Sequence, residues 1–182
     1  MEALDISVNV PGVGTVAVDI AYGGMWYAVV DPGPLALTLT PENGKEICRV
    51  GEMIKTACRE QHPVRHPVHT DYEGVDILVF TQLGATSGAM DLDADAVYGK
   101  NTVVMSKGKL EWQNPATHTG MFDRSHRSHR SPCATSACAV MAVLHEKGQL
   151  RLRQNFVHNS ILDSMFVGRL EEETQGAGKQ PL

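Results

Sequence analysis

Aromatic residues are scarce in this sequence of 182 residues, at 5%, and cysteine occurs only four times. The cysteines stand at positions 48, 58, 133 and 138, without the Cys-x-x-Cys pairs of a zinc site or redox motif. This pattern favours free thiols in a reducing cytosol over a disulfide framework. No apolar run approaches the roughly 20 residues that cross a bilayer, and the first residues lack the basic and apolar parts of an export signal. We therefore expect a cytoplasmic protein without a membrane partner.

The net charge and the spacing of the acidic residues and histidines argue against nucleic-acid binding and against a metal site. A net charge of −5 gives no general affinity for nucleic acid. The histidines show no HExxH spacing, and Asp91, Asp93 and Asp95 lack the glycine and glutamate of a calcium loop. The sequence therefore predicts no metal site. With 42% apolar and 20% charged residues, the chain has the composition of one globular domain.

The first 30 residues have the pattern of paired strands. Leu4–Val10 and Thr15–Ala21 alternate apolar and polar side chains, and residues 11–14 between them read Pro-Gly-Val-Gly, which predicts a β-hairpin. Met25–Val30 predicts a third strand. The pair Gly23-Gly24 before it indicates a bulge or a close backbone approach.

Apolar residues then recur at helical spacing, which predicts an amphipathic helix over 41–60. Thr40 is its expected N-cap, with Pro41 at the first helical position. Cys48 and Cys58 fall on this helix, where we expect ordinary packing in the core.

Short β-rich runs follow the first helix. Together with that helix and the second one described below, they predict an α+β fold. The candidate strands are Val75–Thr81, Asn101–Ser106, Leu110–Trp112, Leu150–Leu152 and Ile161–Leu170.

The stretch Ser131–Gly148 carries no charge until Glu146 and predicts a second helix, buried because it is apolar on every face. Gly148 suits the position just beyond the helix end. Pro132 at the entry places Cys133 at the helix N-terminus, where backbone N–H groups and the helix dipole favour a thiolate and a docked anion.

The sequence around Cys133 also resembles the motif of a known protein family. Asp123-Arg124-Ser125, followed by Arg130-Ser131-Pro132-Cys133-Ala134-Thr135, resembles the DRSPCGTG motif of the proline racemase family. That family includes proline racemase, 4-hydroxyproline epimerase and trans-3-hydroxy-L-proline dehydratase. Tyr22–Ala28 resembles its GGNFYA segment, an independent point of match.

The resemblance implies a diaminopimelate epimerase-like half, with short strands wrapped around a central buried helix. Residues 1–172 would form a single domain similar to the second half of such an enzyme, and 173–182 would be a disordered tail. Family members use one cysteine from each half as acid and base at the α-carbon, and they use no metal or pyridoxal cofactor.

Carried over by position, Cys133 matches the catalytic thiol, and the backbone amides of Ala134 and Thr135 match the nest for the substrate carboxylate. Asp123 matches the aspartate that contacts the substrate ring nitrogen. A repeat of Arg-Ser-His over 124–131 adds six residues to the motif, so that Asp123 stands ten residues before Cys133 rather than four. Cysteine at position 133 favours a racemase or 4-hydroxyproline epimerase, since the dehydratases carry threonine there.

Nothing in the sequence resembles the cysteine motif of the first half. The expectation is therefore an amino-acid isomerase that is incomplete as it stands, acting on proline or hydroxyproline, with a homodimer or a complementary N-terminal half as partner. One alternative is an inactive remnant that binds a ligand or a partner, and another is a dehydratase-like enzyme. A Cys/His hydrolase using His126 or His129 is weaker, since no third orienting group is evident.

Overall fold

A computed structural model describes residues 2–66, 74–75, 77–84, 95–105 and 133–173. Within them lie seven strands and two α-helices. The strands are β1 (Ala3–Val10), β2 (Gly14–Tyr22), β3 (Trp26–Val30), β4 (Ile77–Leu83), β5 (Val97–Met105), β6 (Asn155–Ser160) and β7 (Met165–Arg169). The helices are α1 (Gly44–Gln61) and α2 (Ala134–Glu146).

All seven strands form one mixed sheet whose spatial order is the chain order. β3 and β4 are parallel, as are β5 and β6, and the other neighbours are antiparallel. The helices α1 and α2 are the crossovers of the two parallel pairs. Because the pairs run in opposite directions and both advance the same way across the sheet, right-handed crossovers place the two helices on opposite faces.

Each face of the sheet accordingly has its own hydrophobic core. One core joins Ile47 and Ile54 of α1 to Leu78 and Val104 of the sheet. The other packs α2 against Tyr27, Val29, Val79 and Phe156. The fold is therefore mixed α and β, with a sheet between two helices.

The predicted hairpin is confirmed, since β1 and β2 pair antiparallel around the Pro-Gly-Val-Gly turn. The third strand is confirmed as well. The first helix differs at its start: Pro41–Asn43 is a separate 3-10 turn, and α1 begins at Gly44. Thr40 is extended at the N-cap of that turn, but its side chain makes no capping hydrogen bond.

The last strands differ more from the expectation. Leu150–Leu152 is not a strand, because the chain turns there and the strand begins at Asn155. Ile161–Leu170 is interrupted by a turn over 161–164, in which Asp163 adopts a left-handed φ of 62°. The predictions for Leu110–Trp112, for the Arg-Ser-His repeat and for the end of the chain from residue 174 lie outside the described residues.

Helix α2 is less enclosed than predicted. Seven of its residues are buried, but Cys138 is exposed and Ala142 is partly exposed. Uniform apolarity predicted burial on every side, whereas α2 contacts the sheet along one side. No described helix is both long and apolar enough to span a membrane.

Candidate active site

Cys133 is the N-cap residue of helix α2, as the sequence predicts. Its backbone is extended (φ −84°, ψ 118°), and helical geometry begins at Ala134. The Cys133 carbonyl accepts hydrogen bonds from the Ala137 amide at 3.0 Å and from the Ser136 hydroxyl at 2.8 Å. These bonds fix the residue at the mouth of the helix and leave its half-buried thiol beside the first turn.

The turn between β2 and β3 allows the first turn of α2 to approach closely. A β-carbon on Gly23 would lie 2.2 Å from the Thr135 carbonyl oxygen and 2.6 Å from the Ala139 nitrogen. Gly24 has a φ of +106°, which disfavours any other residue, and the Thr135 methyl packs over it. The close approach predicted for the two glycines is thus a contact between this turn and the helix that carries Cys133.

Three polar side chains meet at this contact. The Tyr27 hydroxyl lies 2.6 Å from the Thr135 hydroxyl and 3.5 Å from the Cys133 sulfur. The Thr135 hydroxyl in turn lies 3.3 Å from that sulfur. Tyr27 is fully buried. In the sequence, Tyr27 is part of the segment that resembles the family's, but its contact with Cys133 and Thr135 could not be predicted, because more than 100 residues separate it from these partners.

These surroundings set the acidity of the thiol. Burial raises the pKa of Cys133, but hydrogen bonds from Thr135 and Tyr27 lower it, as do the nearby backbone N–H and hydroxyl of Ser136. The lowering wins, and the pKa lies below the ordinary thiol value. Neutral donors produce this result, since no charged side chain among the described residues contributes to it.

The first backbone amides of α2 are available to an anion. Helix geometry leaves the first N–H groups without an acceptor inside the helix. In the part of the chain that the structure describes, no protein acceptor bonds the amides of Ala134 and Thr135. Ala134 is exposed and Thr135 partly so. A carboxylate beside the thiol would therefore meet unpaired donors and the positive end of the helix dipole.

The other three cysteines do not join this site. Cys48 and Cys58 lie on α1, across the sheet, and burial raises the pKa of each to about 11. Both belong to packed regions, as predicted. Cys138 follows five residues later on α2, rotated by about 140° from Cys133.

Several sequence-predicted residues lie outside the described residues, among them Asp123, His126 and His129. Among the residues that are described, no group of three or more His, Cys, Asp or Glu side chains has the geometry to hold a metal ion. The structure thus brings Cys133, Ala134 and Thr135 together and adds Tyr27.

Known proteins are similar to this chain both in sequence and in fold. The chain is 29% identical over 173 residues to the proline racemase of Clostridioides difficile. It is 34% identical over 172 residues to the 4-hydroxyproline 2-epimerase of Streptosporangium roseum. Each match covers 94% of this chain but only 44% of the relative, so the chain spans less than half the length of these relatives.

Two crystal structures are similar to this one, and each comparison covers 97% of this chain. One is a probable proline racemase from Agrobacterium radiobacter K84 with bound carbonate, at a TM-score of 0.74 and 30% identity, of which this chain covers 44%. The other is a hydroxyproline epimerase from Agrobacterium vitis with bound trans-4-hydroxy-L-proline, at 0.73 and 28%, of which it covers 43%. A family model described as proline racemase matches residues 1–111 and 88–182. With the thiol, the helix cap and these matches in agreement, the chain belongs to the proline racemase family.

Proposed function

We propose that this chain supplies one half of a cofactor-independent isomerase of cyclic amino acids, with proline or 4-hydroxyproline as substrate. The observation that carries the proposal is the Cys133 thiol, whose pKa is lowered at the mouth of α2 beside two amides that bond no acceptor among the described residues. Relatives named proline racemase and 4-hydroxyproline 2-epimerase support the substrate class. Cys133 is the proposed catalytic residue, and Ala134, Thr135 and Asp123 are the proposed substrate-binding residues.

In the proposed reaction the Cys133 thiolate removes the α-proton from one face of the ring. The electron pair of the broken C–H bond moves into the carboxylate, which becomes enediolate-like. The amides of Ala134 and Thr135 donate to this growing negative charge, which is the usual largest source of stabilisation in such steps. A second thiol on the opposite face returns a proton to the α-carbon, which inverts it and balances the charge.

This second thiol is not supplied by the chain. Cys58 belongs to the core on the other face of the sheet, and Cys48 is buried on the same helix; burial raises the pKa of each to about 11. Cys138 is on the same helix as Cys133. We therefore propose that residues 1–172 form a diaminopimelate epimerase-like second half, and that a complementary half provides the other cysteine. The buried positions of Cys48 and Cys58 favour, as the second candidate, a chain that binds the ring acid without inverting it.

Protection of the thiol by a ligand tests the proposal. Pyrrole-2-carboxylate is planar, like the deprotonated ring, and places a carboxylate next to the α-carbon. We expect it to slow alkylation of Cys133 by iodoacetamide and to release or absorb heat on binding in calorimetry. Benzoate, which has a carboxylate but no ring nitrogen, is the control and should protect less. Alkylation at an unchanged rate and no heat at high pyrrole-2-carboxylate concentration would refute binding at this site.

A further inference from the structure

The fully buried phenol of Tyr27 ends at the sulfur of the proposed site. Its hydroxyl is 2.6 Å from the Thr135 hydroxyl, near the short end of the range for O–H···O hydrogen bonds. Thr135 is in turn 3.3 Å from the Cys133 sulfur, closer than Tyr27 itself at 3.5 Å. The three atoms therefore form a small triangle in which the shortest side joins the two hydroxyls.

The protonation state of the sulfur decides how the hydroxyl protons point. A thiolate can only accept, so Thr135 donates to it, and Tyr27 donates to the Thr135 oxygen or to the sulfur. A donor that itself accepts a hydrogen bond becomes a stronger donor, because the bonds polarise one another. When the sulfur is protonated it is only a weak acceptor, so hydrogen bonds donated by the two hydroxyls lose most of their strength.

From this arrangement we infer that Tyr27 is a positioning residue, which acts through the Thr135 hydroxyl to hold Cys133 as the thiolate that removes the α-proton. The inference rests on the proposed function for the proton-transfer role. The alignment of the two hydroxyls toward the sulfur rests on geometry alone.

The backbone around the triangle fixes its members. Gly23 lets the first turn of α2 lie directly on the β2–β3 turn, and the Thr135 methyl packs over Gly24. With its methyl held there, the threonine hydroxyl is left facing Tyr27 and the sulfur. Of the described residues, the one titratable side chain that acts on the sulfur is the Tyr27 phenol from β3. The β2–β3 turn contributes glycine backbone, α2 contributes Thr135 and Ser136, and no charged group of the described residues acts on the thiol.

Thiol titration tests this relay. The rate of Cys133 alkylation by iodoacetamide is measured against pH, in a Cys138→Ala background because the tryptic peptide 131–147 contains both cysteines. Thr135→Val removes the direct donor and should raise the midpoint by about one pH unit, a roughly tenfold loss of thiolate at neutral pH. Tyr27→Phe should raise the midpoint by less, and Thr135→Ser should keep it near that of the parent because the hydroxyl remains.

The double variant separates a relay from two independent contacts. If Tyr27 acts through Thr135, adding Tyr27→Phe to Thr135→Val produces no further shift, since the intermediate oxygen is already absent. Additive shifts would show that the phenol acts on the sulfur directly and would overturn the relay. Tyr98→Phe is the matched control, because its hydroxyl is on another strand and has no partner within the described residues, and it should leave the midpoint unchanged.

The two proposals fail in different ways. If Tyr27→Phe and Thr135→Val fold normally by urea denaturation and titrate like the parent, the relay is wrong whether or not the ligand protects Cys133. If the midpoints shift as expected but pyrrole-2-carboxylate gives no protection, the relay stands and the isomerase half-site is wrong.

Discussion

Gly23 touches the backbone of helix α2, so that a β-carbon at this position would stand 2.2 Å from the Thr135 carbonyl oxygen. The obstructing atoms belong to the backbone and cannot rotate away. The helix and the turn must therefore separate if any side chain is introduced. The same contact holds Tyr27 against Thr135, so the stability of the fold and the geometry of the thiol depend on one position.

We expect Gly23→Ala to destabilise the domain by about 2–3 kcal/mol, as overpacking against immovable atoms does. It should also raise the midpoint of Cys133 alkylation, because lifting the helix lengthens the hydrogen bonds that lower the thiol pKa. Urea denaturation and the pH dependence of alkylation measure the two effects. Gly33→Ala is the control, since its β-carbon would meet only the flexible Asp31 carboxylate, at 3.2 Å. A normal urea midpoint for Gly23→Ala would contradict the contact.

The thiols should differ in reactivity according to their environments. Cys133 is half-buried with a lowered pKa, whereas burial raises the pKa values of Cys48 and Cys58 to about 11. In the folded protein near neutral pH, iodoacetamide should modify Cys133 well before either cysteine of α1, and peptide mass spectrometry resolves the sites. In denaturing urea the difference should vanish, because all three become exposed. Faster labelling of Cys58 than of Cys133 in the folded protein would contradict the structure.

His158 should make the stability of the domain depend on pH. It is buried on β6 beside Phe156, with ring centroids 6.0 Å apart, and burial lowers its pKa from 6.5 to about 4. Between these pH values the unfolded chain binds a proton that the folded chain does not. The free energy of unfolding attributable to this group is therefore retained above pH 6.5 and falls by up to about 3 kcal/mol as the pH approaches 4.

Substitution isolates this contribution from that of the carboxylates, which titrate in part of the same range. The difference in unfolding free energy between the parent and His158→Gln, measured in urea from pH 7 to pH 4, should shrink as the pH falls. A difference for His158→Gln that is constant with pH would mean that the folded protein protonates His158 normally.

Local chemistry predicted those features whose causes are local. The Pro-Gly-Val-Gly turn specified the first hairpin, and the apolar run after Pro132 specified α2 with Cys133 at its start. The predicted strand at Leu150–Leu152 was wrong, because an alternating pattern over only three residues is weak evidence for a strand. The turn over 161–164 between β6 and β7 was missed because apolar Ile161 and Leu162 continue the β-rich pattern, although Asp163 there is left-handed. The partners of Tyr27 could not be predicted, because more than 100 residues separate β3 from α2 and the two meet only in the folded chain.

The position of the cysteines also predicts the behaviour of the chain with a substrate. Inversion needs an acid and a base on opposite faces of the α-carbon, and this chain places one thiol at the proposed site. The optical rotation of L-proline or trans-4-hydroxy-L-proline should therefore stay constant over hours in the presence of the purified chain. Cys133→Ser and Cys48→Ser should be indistinguishable from the parent in this assay, although only Cys133→Ser abolishes rapid alkylation.

Loss of optical rotation that disappears in Cys48→Ser would place a second base on α1, which the raised pKa of Cys48 and the intervening sheet oppose. Loss that disappears only in Cys133→Ser and depends on the square of protein concentration would instead show that two copies combine their thiols around one substrate.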